Sequence, residues 1–158
     1  MKTFIESLDL QFSKLHARSC ELIQKIPDEK LFWQQERNQS AFPVNSCGEL
    51  VLRSAGTIEQ TFGGITARLW DDPFEWTLPE TLSTNRLILS YLAEVEETRA
   101  RGFALFHADE DLRRELPAPE KLITIFALLI ETLARAEHLQ GRAFAVFQLL
   151  SKKKSPPL

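Results

Sequence analysis

The chain of 158 residues is poor in cysteine, methionine, histidine and tyrosine, holding two, one, three and one of them respectively. Cys20 and Cys47 lack the spacing of a zinc site or a disulfide framework, so both thiols are expected to be free, in a reducing compartment. No apolar run approaches membrane-spanning length, and Glu6 and Asp9 interrupt the N-terminal segment before a signal-peptide core could form, which makes the cytoplasm the expected location. Basic excess is missing too: 19 lysines and arginines face 22 acidic residues, for a net charge of −3. That removes the usual electrostatic reason to bind a phosphate backbone. Strand-type alternation of useful length, internal repeats and low-complexity segments are also absent.

What remains is 44% apolar and 26% charged, enough for one domain with a real core. Phe4, Ile5, Leu8, Phe12, Leu15, Leu22, Ile23 and Ile26 recur at three- and four-residue intervals, which predicts an amphipathic helix over Thr3 to Ile26, ended by Pro27. Ser46 and Glu49 form a capping-box pattern at the start of a second helix, over Cys47 to Leu69. Gly56, Gly63 and Gly64 weaken that helix and suggest that neighbours approach it closely. A Pro-rich loop around Asp71 to Pro79 precedes a third helix, over Thr84 to Phe106. Pro119 at a first helical position, followed by Glu120, opens a fourth that runs to Leu150.

The expected architecture is an all-α four-helix bundle over residues 1–151, with a flexible basic and Pro-containing tail over 152–158. The first connection, about eighteen residues, could span more than about 50 Å if extended, so it allows a crossover.

Three stretches carry a resemblance. They are Leu22-Ile23-Gln24-Lys25-Ile26-Pro27-Asp28-Glu29-Lys30-Leu31-Phe32-Trp33, then Ser46 to Glu59 with Arg53 at its centre, then Glu137-His138-Leu139-Gln140-Gly141 followed by Phe144 to Leu150. Together they look like the DinB/YfiT-like family of bacterial four-helix bundles. The resemblance implies up-down-down-up topology, frequent homodimers, and a divalent metal (Zn, Ni, Fe or Mn) held by one histidine on the second helix and two, four apart, on the fourth. Some members of such families transfer low-molecular-weight thiols onto electrophiles.

This chain departs from that pattern where it matters. Arg53 stands at the second-helix histidine position, and a guanidinium has no lone pair for a metal. If His138 is the second ligand of the fourth helix, the first falls on Ala134; if Gly141 is aligned instead, the two positions fall on Arg135 and Leu139. Either way at most one ligand of three is left, so no metal is expected, unless Glu59, Glu131 and His138 supply an altered set.

A helical wheel puts His138 at the edge of the apolar stripe and Glu137 and Gln140 inside it. A carboxylate there wants a partner, and Arg53 is one candidate; exposure at a helix bend or outside the dimer seam is the other reading. His16 and Cys20 are four apart, close enough to meet. Cys47, in the first turn of the second helix, is the better reactive-thiol candidate by its dipole, against a buried structural cysteine. The aromatic and acidic loop from Trp70 to Trp76 could line a ligand mouth or cap one end of the bundle. Ala127, Ala134, Gly141 and Ala145 make a small-residue strip suited to a homodimer.

The functional expectation is a non-catalytic bundle protein binding a small molecule or partner in a residual family site of Arg53, Glu137 and His138. A metal-dependent thiol transferase or hydrolase and a purely structural homodimer are the alternatives.

Overall fold

The computed structural model describes residues 1–34, 45–73 and 77–154. Among them run four long helices: α1 (Thr3–Gln24), α2 (Cys47–Ala67), α3 (Asn85–Ala104) and α4 (Ile125–Lys154). None of the helices is long and apolar enough to cross a membrane.

Each helix starts and stops for a local reason. Ile5, Leu8, Phe12, Leu15, Leu22 and Ile23 form the buried stripe of α1, which ends two residues before Ile26; Pro27 then leads into a 3₁₀ turn, Asp28–Lys30. The Ser46 hydroxyl accepts the Glu49 N–H at 3.2 Å, one half of the predicted capping box, while the Glu49 carboxylate accepts from Arg53 at 3.4 Å. Thr84 caps α3 through the Leu87 N–H at 3.2 Å.

The glycine expectation for α2 holds at particular atoms. A Cβ on Gly64 would lie 2.4 Å from the Trp70 ring, and one on Gly56 would touch Pro73 at 3.4 Å. Trp70 and Pro73 therefore sit directly on the helix backbone. The chain reverses at Arg68, which caps α2 with φ of 58°. A side chain in that left-handed region costs energy that glycine avoids. Arg68→Gly should therefore raise stability by about 0.5–1 kcal/mol, read as a higher urea midpoint with an unchanged slope.

The expectation of no strands needs correction. A 3₁₀ turn (Asp109–Arg113) leads to an antiparallel hairpin of β1 (Glu115–Pro117) and β2 (Leu122–Thr124), with Leu116 opposite Ile123. Both of those side chains are buried against the core. Pro119 and Glu120 lie in the hairpin loop, closed by the Ala118 N–H on the Lys121 carbonyl at 2.9 Å. Helix α4 therefore starts at Ile125, six residues later than Pro119, with the Thr124 hydroxyl accepting the Ala127 N–H at 3.2 Å. The β-branched run Ile123-Thr124-Ile125 favours extension up to a capping threonine, and this outweighs the proline signal. At its other end α4 continues past Leu150 to Lys154, so 152–154 belong to the helix; 155–158 lie outside the described residues.

α2 packs chiefly on α4 and α3, and α1 on α3 and α4, while α1 and α2 touch little. Phe12, Phe62, Phe103 and Phe106 meet at centroid distances of 5.4–5.8 Å in the middle of this arrangement. Each such buried ring contributes about 2–3 kcal/mol of burial. A Gly102 Cβ would lie 2.4 Å from the Phe62 ring, so glycine lets α3 approach this cluster. Small polar groups bind α4 to its neighbours: Ser54 donates to the Ala136 carbonyl at 2.8 Å, and Thr61 and Thr132 share a bond of 2.7 Å. Gln140, buried as the wheel predicts, donates to the Leu15 carbonyl at 2.7 Å and to Ser19 Oγ at 2.8 Å on α1.

Candidate functional site

Those small contacts hold α2 and α4 close along one line, and beside that line the two helices part into a cleft. From α2 come Arg53, Thr57 and Gln60, spaced at i, i+4 and i+7 so that they share a face. From α4 come Arg135, His138 and Leu139, within one turn. Pro73, seated on Gly56, and its neighbour Asp72 close one side. The volume is about 360 Å³.

A second recess of about 300 Å³ shares Thr57, Gln60 and Arg135 with the first and continues to Trp70, Pro119 and Thr132. Gln60 helps shape both, since its amide donates to the Trp70 carbonyl at 3.1 Å and holds that turn over α2. Thr57 donates to the Arg53 carbonyl at 3.0 Å. Arg53 also reaches Glu49 at 3.4 Å, a half-exposed pair one helical turn apart.

Arg53 and His138 thus come together as expected, but Glu137 does not join them. Successive helical residues are about 100° apart, so α4 cannot turn both Glu137 and His138 toward α2. Glu137 faces α1 and pairs with Arg18 at 2.5 Å, both side chains about 40% exposed. The Arg53–Glu137 pair is therefore replaced by two separate pairs, Arg53 with Glu49 and Arg18 with Glu137.

The altered ligand set of Glu59, Glu131 and His138 is dispersed. Glu131 pairs with Lys121 of the hairpin loop at 3.1 Å, and Glu59 faces α3, where the Tyr91 hydroxyl donates to it at 2.5 Å. No three His, Cys, Asp or Glu side chains among the described residues are grouped as metal ligands. Arg135 is the residue that gains most in importance. The sequence marked it only as an alternative ligand position; the Thr57 and Gln60 walls were recoverable from their spacing to Arg53.

Arg135 and Leu139 both line the cleft with Arg53, whereas Ala134 is exposed and lies off its wall.

No family model, curated protein or solved structure matches this chain. The metal implied by the resemblance is judged on donor chemistry alone. Guanidinium and leucine side chains offer no lone pair, so among the described residues His138 and Asp72 are the imidazole and carboxylate donors lining the cleft, and these do not fit a three-imidazole ion site.

Both thiols are free, as expected. Cys47 is fully buried, and burial pushes its pKa up to about 12, so desolvation overrides the helix dipole that was expected to activate it. Cys20 does meet His16, with Sγ 3.6 Å from Nε2, yet burial and then Glu96 raise its pKa as well. Trp70 of the aromatic loop lines the second recess; Phe74, Glu75 and Trp76 lie outside the described residues.

Glu59 gives the site's surroundings a pH dependence. Burial raises its carboxyl pKa above the ordinary 4.5, against the hydrogen bond from Tyr91 and with help from Glu94. A raised folded pKa means that its contribution to stability is fully present below about 4.5 and is lost as pH rises through the raised value. Glu59→Gln keeps an acceptor for Tyr91 and removes the titration, so the fall in urea midpoint across this interval should flatten. An unchanged slope would contradict the assignment.

Proposed function

We propose that this chain is a DinB/YfiT-like bundle protein in which the family's metal position has become a non-catalytic cleft for a small molecule. The carrying observation is that Arg53, Arg135 and Leu139 line one cleft together with His138. Under the alignment on Gly141, Arg53, Arg135 and Leu139 are the positions at which the resemblance puts metal-binding histidines. The order of contacts supports the up-down-down-up topology. Phe4 meets Phe126 and Arg18 meets Glu137, so α1 and α4 run in the same direction; Ser54 meets Ala136 and Thr61 meets Thr132, so α2 opposes α4. Gly56 lies near Tyr91 and Phe62 near Gly102, so α2 and α3 run together.

The test is a thermal-shift screen of neutral, cationic and anionic fragments. At least one class should stabilise the parent and lose its effect in Arg135→Met. Absence of any cleft-dependent ligand contradicts the reading.

A homodimer is proposed on a separate observation. Ala134, Gly141 and Ala145 lie on an open side of α4, where a Cβ on Gly141 would meet nothing within 4 Å, and Phe126, Ile130 and Leu149 are exposed along the same helix. Light scattering at micromolar concentration should give twice the chain mass; a monomer mass rejects it.

A further inference from the structure

We infer that the cleft takes an organic anion, a carboxylate or phosphate monoester, whose charged group sits between Arg53, Arg135 and His138 and whose body lies against Trp70 and Pro119. This rests on the small-molecule reading and names its ligand class. Among the described residues, two guanidiniums and an imidazole line the main lobe against one carboxylate, Asp72. The whole chain carries a net charge of −3, so the excess of basic groups in this lobe is a local feature.

The hydrogen-bonding inventory points the same way. A guanidinium presents five donors and no acceptor, so Arg53 and Arg135 make the lining rich in donors even though the Thr57 hydroxyl proton is committed to the Arg53 carbonyl. The Arg135 guanidinium is exposed and enters no ion pair or hydrogen bond among the described residues. It is therefore available to a ligand without breaking an existing contact. Arginine matches carboxylate and phosphate oxygens in parallel pairs, which favours such groups over neutral ones. The adjoining lobe, sharing Thr57, Gln60 and Arg135, adds Trp70, Pro119 and Leu128 for an apolar body, with Glu120 and the Lys121–Glu131 pair at its lining. Together the two lobes fit an amphipathic ligand better than an inorganic ion.

Four probes of similar size test this by isothermal titration at low ionic strength and pH 7: benzoate, phenyl phosphate, benzyl alcohol and benzylamine. One or both anions should bind at least roughly tenfold more tightly than the neutral and cationic probes, with affinity falling as salt is added. Arg135→Met should weaken the anion at least roughly tenfold while leaving the melting temperature close to that of the parent, because Arg135 supports nothing else in the fold. Benzoate against phenyl phosphate separates the two head groups. If benzyl alcohol or benzylamine binds as well as the anions and Arg135→Met weakens it, the cleft reading stands and the anion inference is overturned. Anion binding that Arg135→Met leaves intact also overturns it. If no probe binds, both readings fail.

Discussion

Arg99→Ala should destabilise the protein by about 3 kcal/mol, the largest stability loss expected from any single charged side chain here. The Arg99 side chain is 5% exposed on α3 and joins it to α1. It donates to Glu96 at 2.6 and 2.8 Å, to Ser13 at 3.1 Å and to Asp9, with its guanidinium 5.4 Å from the centre of the Phe103 ring. Truncation strands Glu96, itself only 25% exposed, beside the aromatic core and removes the cover from Phe103. Asp9, about half exposed, can return to water, which keeps the loss near the lower end of the range for a broken buried pair. For a domain of this size the melting temperature should fall by roughly 6–12 °C. Arg99→Lys should lose part of this, since an ammonium keeps the charge but cannot span three partners. A loss under about 0.5 kcal/mol for Arg99→Ala would mean that α1 and α3 are held by apolar packing alone.

The second large effect is a gain of function. Replacing Arg53, Arg135 and Leu139 together with histidine should create Zn or Ni affinity in the micromolar range or better, about 8 kcal/mol of binding that the parent lacks. Two of the new imidazoles would lie one turn apart on α4 and the third would face them from α2, which is the arrangement that leaves an open coordination position. The same substitutions remove both guanidiniums, so anion binding should disappear as metal binding appears. The pair Arg53→His and Ala134→His, which the other alignment favours, should bind metal poorly, because Ala134 is exposed off the cleft wall. Tight binding by that pair and none by the triple variant would reverse the assignment of α4.

Periodicity made the helices legible, α1 most plainly through its single buried stripe, and Pro27, Ser46 and the α2 glycines marked ends and close approaches that the fold uses. The hairpin was not legible. Strands of three residues are too short to show alternation, and Pro119 with Glu120 imitates a helix start until Thr124 is recognised as the cap. The wheel put Gln140 inside correctly, yet it could not say which neighbour Glu137 would meet; its partner Arg18 lies 119 residues away on α1. A related limit left Cys47 open between a reactive and a buried thiol. Its dipole is a local property, while the burial that outweighs it is set by the packing of the whole bundle. Of the cleft, Arg53 and His138 were legible by position in the resemblance, while Arg135 stood out only once the cleft placed it beside them.

The central claim is that the cleft serves a small molecule without a metal, and the direct measurement is isothermal titration of the tag-free parent with Zn and Ni. The account predicts no strong binding by the parent and no near-stoichiometric Zn, Ni, Fe or Mn in the protein as purified. One equivalent of tightly bound metal, lost on His138→Ala, would contradict it and favour a metal-dependent thiol transferase or hydrolase.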